Sequence, residues 1–139
     1  MIYVIHNDTY KYLFLDNNPE EKDNFYCIKE PEPLFIIHKD RQIGRDFFKV
    51  NDIIILSRKD GYQCEFKIGN TYSGNDEIID DKSIFMIQYN RNGKMMYLYN
   101  CYENKDKKKH YLFTYIQNPG SYESFFYIKK IKFQNLNFS

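Results

Sequence analysis

Tryptophan and alanine are both absent from this 139-residue chain, and valine occurs only twice. Alanine is the strongest helix former, and the best helix-forming stretch that remains, 19–23, is barely one turn, so a helical protein is disfavoured. No apolar run approaches the eighteen or more residues that cross a bilayer; the longest, such as 53–56, are strand-sized. The first residues, MIYVIHNDTYKYLFLDNN, carry no basic opening, no uninterrupted apolar core and no small-residue cleavage site. These absences lead us to expect a soluble cytoplasmic protein with no membrane insertion. Cysteine is scarce and odd in number: Cys27, Cys64 and Cys101 form no C-x-x-C pair. A disulfide framework and a structural zinc site are thereby disfavoured, and small buried thiols are expected. Six glycines scattered at turns build no phosphate-cradling loop, and no cofactor is implied. With 20 basic and 19 acidic side chains, the chain is neither a polycation nor an acidic nucleic-acid mimic.

What is abundant is narrow. Ile 17, Lys 16, Asn 14, Tyr 14 and Phe 12 make up more than half of the residues. All five use A/T-rich codons, so 19% aromatic content is not by itself a binding signature. Short Ile-, Tyr- and Phe-rich runs bounded by Asn, Asp, Gly and Pro predict strands. They fall at 1–6, 10–15, 24–29, 33–38, 46–50, 53–57, 62–68, 84–89, 95–100, 110–116, 124–128 and 130–134, with one weak edge strand in 69–81. The segment Tyr62-Gln-Cys-Glu-Phe-Lys-Ile68 alternates cleanly, as an antiparallel strand buried on one face does. Turn chemistry marks 59–61, 91–93 and 118–120. The whole chain, 1–139, reads as a single all-β domain.

The sequence also echoes itself. YVIHNDTYKYLFL at 3–15 resembles FMIQYNRNGKMMYLY at 85–99, and EPLFIIHK at 32–39 resembles ESFFYIKK at 123–130. FFKVNDIIILS at 47–57 fits between them as a compressed middle copy. Three units of four strands resemble the β-trefoil superfamily, which implies a six-stranded barrel capped by a triangle of hairpins. The ricin-type Q-x-W triplet of that superfamily is excluded by the missing tryptophan. Another closed barrel or sandwich is the alternative; within it, Phe48-Lys-Val-Asn-Asp-Ile-Ile-Ile-Leu56 resembles a PUA-like barrel, implying a nucleic-acid-binding module.

Three constellations bear on function. Asp52, followed by Glu65-x-Lys67, resembles the core of PD-(D/E)xK nucleases, in which paired carboxylates hold Mg²⁺ and the lysine assists the attacking water. The upstream proline of that motif is replaced by Asn51, the helices that flank it in that fold are not visible, and Gln63, Glu65 and Lys67 read first as the solvated face of a half-buried strand. His6, His38 and His110 show no metal-ligand spacing and are expected near strand ends. The last 39 residues carry seven basic and three acidic side chains. There, Lys105, Lys107, Lys108 and Lys109 are candidates for weak polyanion binding, and Tyr122 for a stacking contact. The expected function is a non-enzymatic binding protein, recognising a protein or glycan partner through loops on a rigid β core, as a host-directed or inhibitory factor does. The long segments 16–23, 39–46, 69–82 and 101–109 are the candidate loops.

Overall fold

β-Branched and aromatic runs too short for helices satisfy their backbones by pairing with one another, and that is what the computed structural model contains. It describes residues 1–7, 11–16, 25–100, 109–115 and 124–131, and among these it has twelve strands and no α-helix. They are β1 (Ile2–His6), β2 (Lys11–Leu15), β3 (Phe25–Ile28), β4 (Phe35–His38), β5 (Phe48–Lys49), β6 (Ile53–Ser57), β7 (Gln63–Thr71), β8 (Ile78–Ile79), β9 (Phe85–Arg91), β10 (Lys94–Asn100), β11 (Lys109–Tyr115) and β12 (Phe125–Lys130). The protein is all-β. One expected boundary is corrected: no break separates 124–128 from Lys130, because β12 runs from Phe125 through Lys130 beside β1; 132–134 lie outside the described residues. The weak edge strand in 69–81 is β8, the two-residue partner of β5.

Ten strands form one antiparallel sheet in the order β10-β11-β3-β2-β1-β12-β9-β7-β6-β4, and β5 and β8 form a second, small one. β9 also pairs with β10 through a two-residue turn, Asn92-Gly93, with both residues at positive φ. Asparagine and glycine are the residues that tolerate this conformation, and it matches the twist of a tight hairpin. Leu34, just ahead of β4, exchanges two 2.8 Å backbone hydrogen bonds with Ile2 of β1.

Alternation puts Val4, Leu13, Leu15, Ile54, Leu56, Phe66, Ile68, Phe85, Ile87 and Phe126 into one core. Much of the aromatic content is used there. Phe25, Phe66 and Tyr89 lie with centroids 4.8–5.7 Å apart in tilted or edge-on contact, an arrangement worth about 0.5–1.5 kcal/mol per pair beyond area burial. Cys27 and Cys64 are buried and in no disulfide, as expected; Cys101 lies outside the described residues. Space is tight at Gly69, where a β-carbon would stand 3.0 Å from Met86 Cβ and the neighbour would have to yield by a few tenths of an ångström. The register of β7 on β9 slips between Ile68 and Thr71 around this close approach.

Candidate functional site

The best-built polar cluster sits where β4, β6 and the 39–53 segment meet. Its centre is Asp52. Lys49 to Asp52 is a turn in which the Asp52 N–H donates to Lys49 O (3.1 Å), and Asn51 takes φ 75°. Asn51 N–H donates to Ile68 O while Ile68 N–H donates to Asp52 O, so two residues oppose one. This is a β-bulge in which Asn51 occupies the left-handed position usually given to glycine. The bulge sets the Asp52 carboxylate on the buried face with Ile54 and Leu56, leaving the residue 9% exposed. His38 reaches the same face because it is paired with Ile54 across the strands.

Arg45 grips Asp52 with two nitrogens, Nη1 to Oδ2 at 2.6 Å and Nη2 to Oδ1 at 2.5 Å, and also donates to Phe47 O at 2.8 Å. Lys49 N–H donates to Asp52 Oδ2 at 2.8 Å. Burial by itself raises the Asp52 carboxyl. The hydrogen bonds from Arg45 and Lys49, with the charges of Arg45 and His38, outweigh it and hold the group below the usual carboxylate range. The hydrogen bonds to Asp52 likewise raise Arg45. His38 stacks on Phe48, centroids 4.3 Å apart, with its Nε2 3.3 Å from Asp52 Oδ2. That approach is an electrostatic contact only, because the buried Nε2 makes no hydrogen bond of sound geometry. The cluster fastens loop 39–46 to the sheet at its far end. At its near end, Gln42 N–H donates to Asp40 Oδ1, and Gly44 turns the chain at φ 74°.

Two surface clefts flank Asn51. One, about 480 Å³, is lined by polar groups of 49–51, 70–71 and 74–77. The other, about 410 Å³, has Ile43 and Ile53 in its wall, with Lys39 and Asp40 beside them. The second cleft adjoins an outward apolar face. Phe35 and Ile37 of β4 are 47% and 44% exposed, and half-buried Ile55 pairs with Ile37 on the next strand.

The nuclease-like residues are not brought together. Glu65 and Lys67 pair with Ile55 and Ile53, on the face opposite to Asp52. Glu65 instead binds Lys39, Nζ to Oε1 at 2.6 Å, and both Asp52 oxygens are engaged by Arg45. Among the described residues there is no group of three or more His, Cys, Asp or Glu that could hold a metal. His6 and His38 do end strands; His6 is buried and packs edge-on against Phe126, and His38 is half-buried. Of the basic candidates, Lys109 opens β11 opposite Ile28. Lys105, Lys107, Lys108 and Tyr122 lie outside the described residues, as do the candidate loop 101–109 up to Lys109 and nearly all of 16–23. No helix among the described residues is long and apolar enough to cross a membrane.

Sequence reasoning missed Arg45 and His38 as partners of Asp52. A local signal existed only for the turn, in Asn51-Asp52; the contact with His38 depends on the register of β4 on β6. Set against protein-family models, curated proteins and solved structures, the chain matches none.

Proposed function

We propose that the chain is a non-enzymatic binding protein of β-trefoil-like architecture that holds a protein partner on the outer face of β4 and β6. What supports the architecture is the order of pairing. β1, β12, β9, β7, β6 and β4 are successive antiparallel neighbours, and a single bridge, Leu34–Ile2, links the chain just ahead of β4 back to β1. β2–β3 and β10–β11 are hairpins attached to that series and paired with each other through β3 and β11. The two echoes in the sequence occupy equivalent places, β1–β2 with β9–β10, and β4 with β12.

One observation carries the functional reading: β4 is apolar on both faces and open on one edge. Leu34 spends its N–H and C=O on Ile2, and alternation then turns those of Phe35 and Ile37 toward β6. Lys39 N–H, donating to Ile53 O at 3.0 Å, keeps that phase. The backbone groups of Ile36 and His38 are therefore directed to the outer edge, where no described strand pairs with them. An edge with unpaired backbone and exposed Phe and Ile side chains is a template for an added strand. The partner is an extended protein segment with apolar side chains at alternate positions, one of them anchoring in the Ile43–Ile53 cleft.

The test is selection of binders from a library of extended peptides, followed by NMR mapping on the isotopically labelled protein. The reading expects alternating apolar residues in the selected peptides, shifts centred on the amides of Ile36 and His38, and loss of binding in Ile37→Lys. Peptides that bind elsewhere, or Ile37→Lys binding as well as the parent, refute it. Sedimentation showing that the face is consumed by a dimer gives it to a second copy and also refutes it.

A further inference from the structure

The polar cleft on the other side of Asn51 has no part in the β4–β6 face, and its chemistry is different. Lys49 and Asn51 form one wall, on the turn that carries the bulge. Asn70, Asn75, Asp76 and Glu77 form the other, on the end of β7 and the loop that follows. The walls are fixed by backbone: Val50 N–H donates to Glu77 O at 2.8 Å, and Gly74 N–H to Thr71 O at 3.1 Å. Ser73 further braces the loop by donating its hydroxyl to Asp76 Oδ2 at 3.0 Å. Within this frame three carboxamides stand exposed, and no described hydrogen bond engages the side chain of Asn51, Asn70 or Asn75. Lys49 and Glu77 make no ion pair among the described residues, although both line the cleft.

We infer that this cleft binds a short neutral saccharide. A carboxamide offers a donor and an acceptor in one plane, and a carboxylate offers acceptors only. A sugar hydroxyl is both donor and acceptor, so adjacent hydroxyls can be met by an amide–carboxylate pair such as Asn75 and Glu77. A space of about 480 Å³ lies within the ordinary range for ligand pockets. Its lining is mostly polar, with Val50 the one apolar side chain, and it does not suit a lipid or a large aromatic ligand. The presence of both one ammonium and two carboxylates disfavours a simple anion.

The probe is a panel of methyl glycosides (of mannose, galactose, glucose and N-acetylglucosamine) at millimolar concentration, added to the labelled full chain. Side-chain amide resonances of Asn51, Asn70 and Asn75 are expected to shift together with at least one member of the panel. Asn70→Ala and Asn75→Ala should each weaken that binding roughly tenfold, the cost of one good polar contact. Both are exposed, so thermal unfolding should be unchanged; Ile37→Lys should leave saccharide binding intact, which separates this site from the peptide face. No shift with any glycoside overturns the inference, as do shifts centred elsewhere or shifts that survive both substitutions. Inorganic phosphate competing for the same resonances also overturns it, because the site is then an anion site on Lys49.

Discussion

β7 and β4 lie two strands apart in one sheet, and their sequences have opposite logic. In β7, Cys64, Phe66 and Ile68 enter the core while Gln63, Glu65 and Lys67 face outward. In β4, Phe35-Ile36-Ile37 is apolar throughout, so Ile36 packs on the core while Phe35 and Ile37 stand in solvent. β7 is central and needs nothing on its outer face, where Lys39 and Glu65 make a surface ion pair of small worth. β4 is an edge strand without lysine, proline or a bulge to blunt it. Folding accounts for the inner face of β4; in the function proposed above, association accounts for the outer one.

The strongest way to break this contrast is to remove a core side chain from β7. Phe66→Ala should cost about 4 kcal/mol, since the ring is fully buried between Phe25 and Tyr89 and leaves a cavity. Urea unfolding measures it; a loss below about 1 kcal/mol means that β7 is not the centre of the core.

Asp52→Ala comes next, at about 2 kcal/mol near neutral pH, because Arg45, Lys49 N–H and His38 lose their common partner. The pH dependence has a definite sign. The folded carboxyl lies below its unfolded value, so its stabilisation is complete above the unfolded pKa of about 4 and disappears as pH falls through the lowered folded one. Parent and variant should therefore converge in stability at strongly acid pH. A gap that stays constant down to acid unfolding contradicts the assignment of charge to this cluster.

Gly69→Ala sharpens the β7 side of the comparison in a different way, through overpacking. The new methyl meets Met86 backbone and Cβ at 3.0–3.1 Å, and a loss of about 1–2 kcal/mol is expected by thermal unfolding. An unchanged or raised midpoint means that the β7–β9 slip relaxes freely.

How much was legible in the sequence follows the same contrast. Strand positions were readable because Ile, Tyr and Phe runs end at Asn, Asp and Gly, and β7 announced its buried face by strict alternation. β4 did not, since three successive apolar residues, Phe35-Ile36-Ile37, give no phase; only the pairing with β6 and the Leu34 bridge decides which side is out. The Asn92-Gly93 hairpin was visible as turn chemistry. Asp52 was noticed, but for its spacing to Glu65 and Lys67, and a one-residue bulge at Asn51 sends it to the other face. Arg45 reaches it across seven positions of irregular loop, a distance that no local period encodes.

The smallest expected effect is the one that tests the comparison most directly. Ile37→Lys in β4 should change folding stability by no more than about 0.5 kcal/mol, although it replaces an isoleucine in a strand of the main sheet. The side chain is nearly half exposed, its partner across the sheet is Ile55 on the outer face, and a lysine stem can lie along that isoleucine with its ammonium in water. Glu65→Ala, on the outer face of β7, should be equally quiet. Two outward substitutions, one removing an apolar residue and one a charge, are then alike for folding and differ, in the function proposed above, only in what they do to binding. If Ile37→Lys instead lowers the urea midpoint as far as Gly69→Ala does, the outer face of β4 is already buried within the folded chain, and the distinction between the two strands fails.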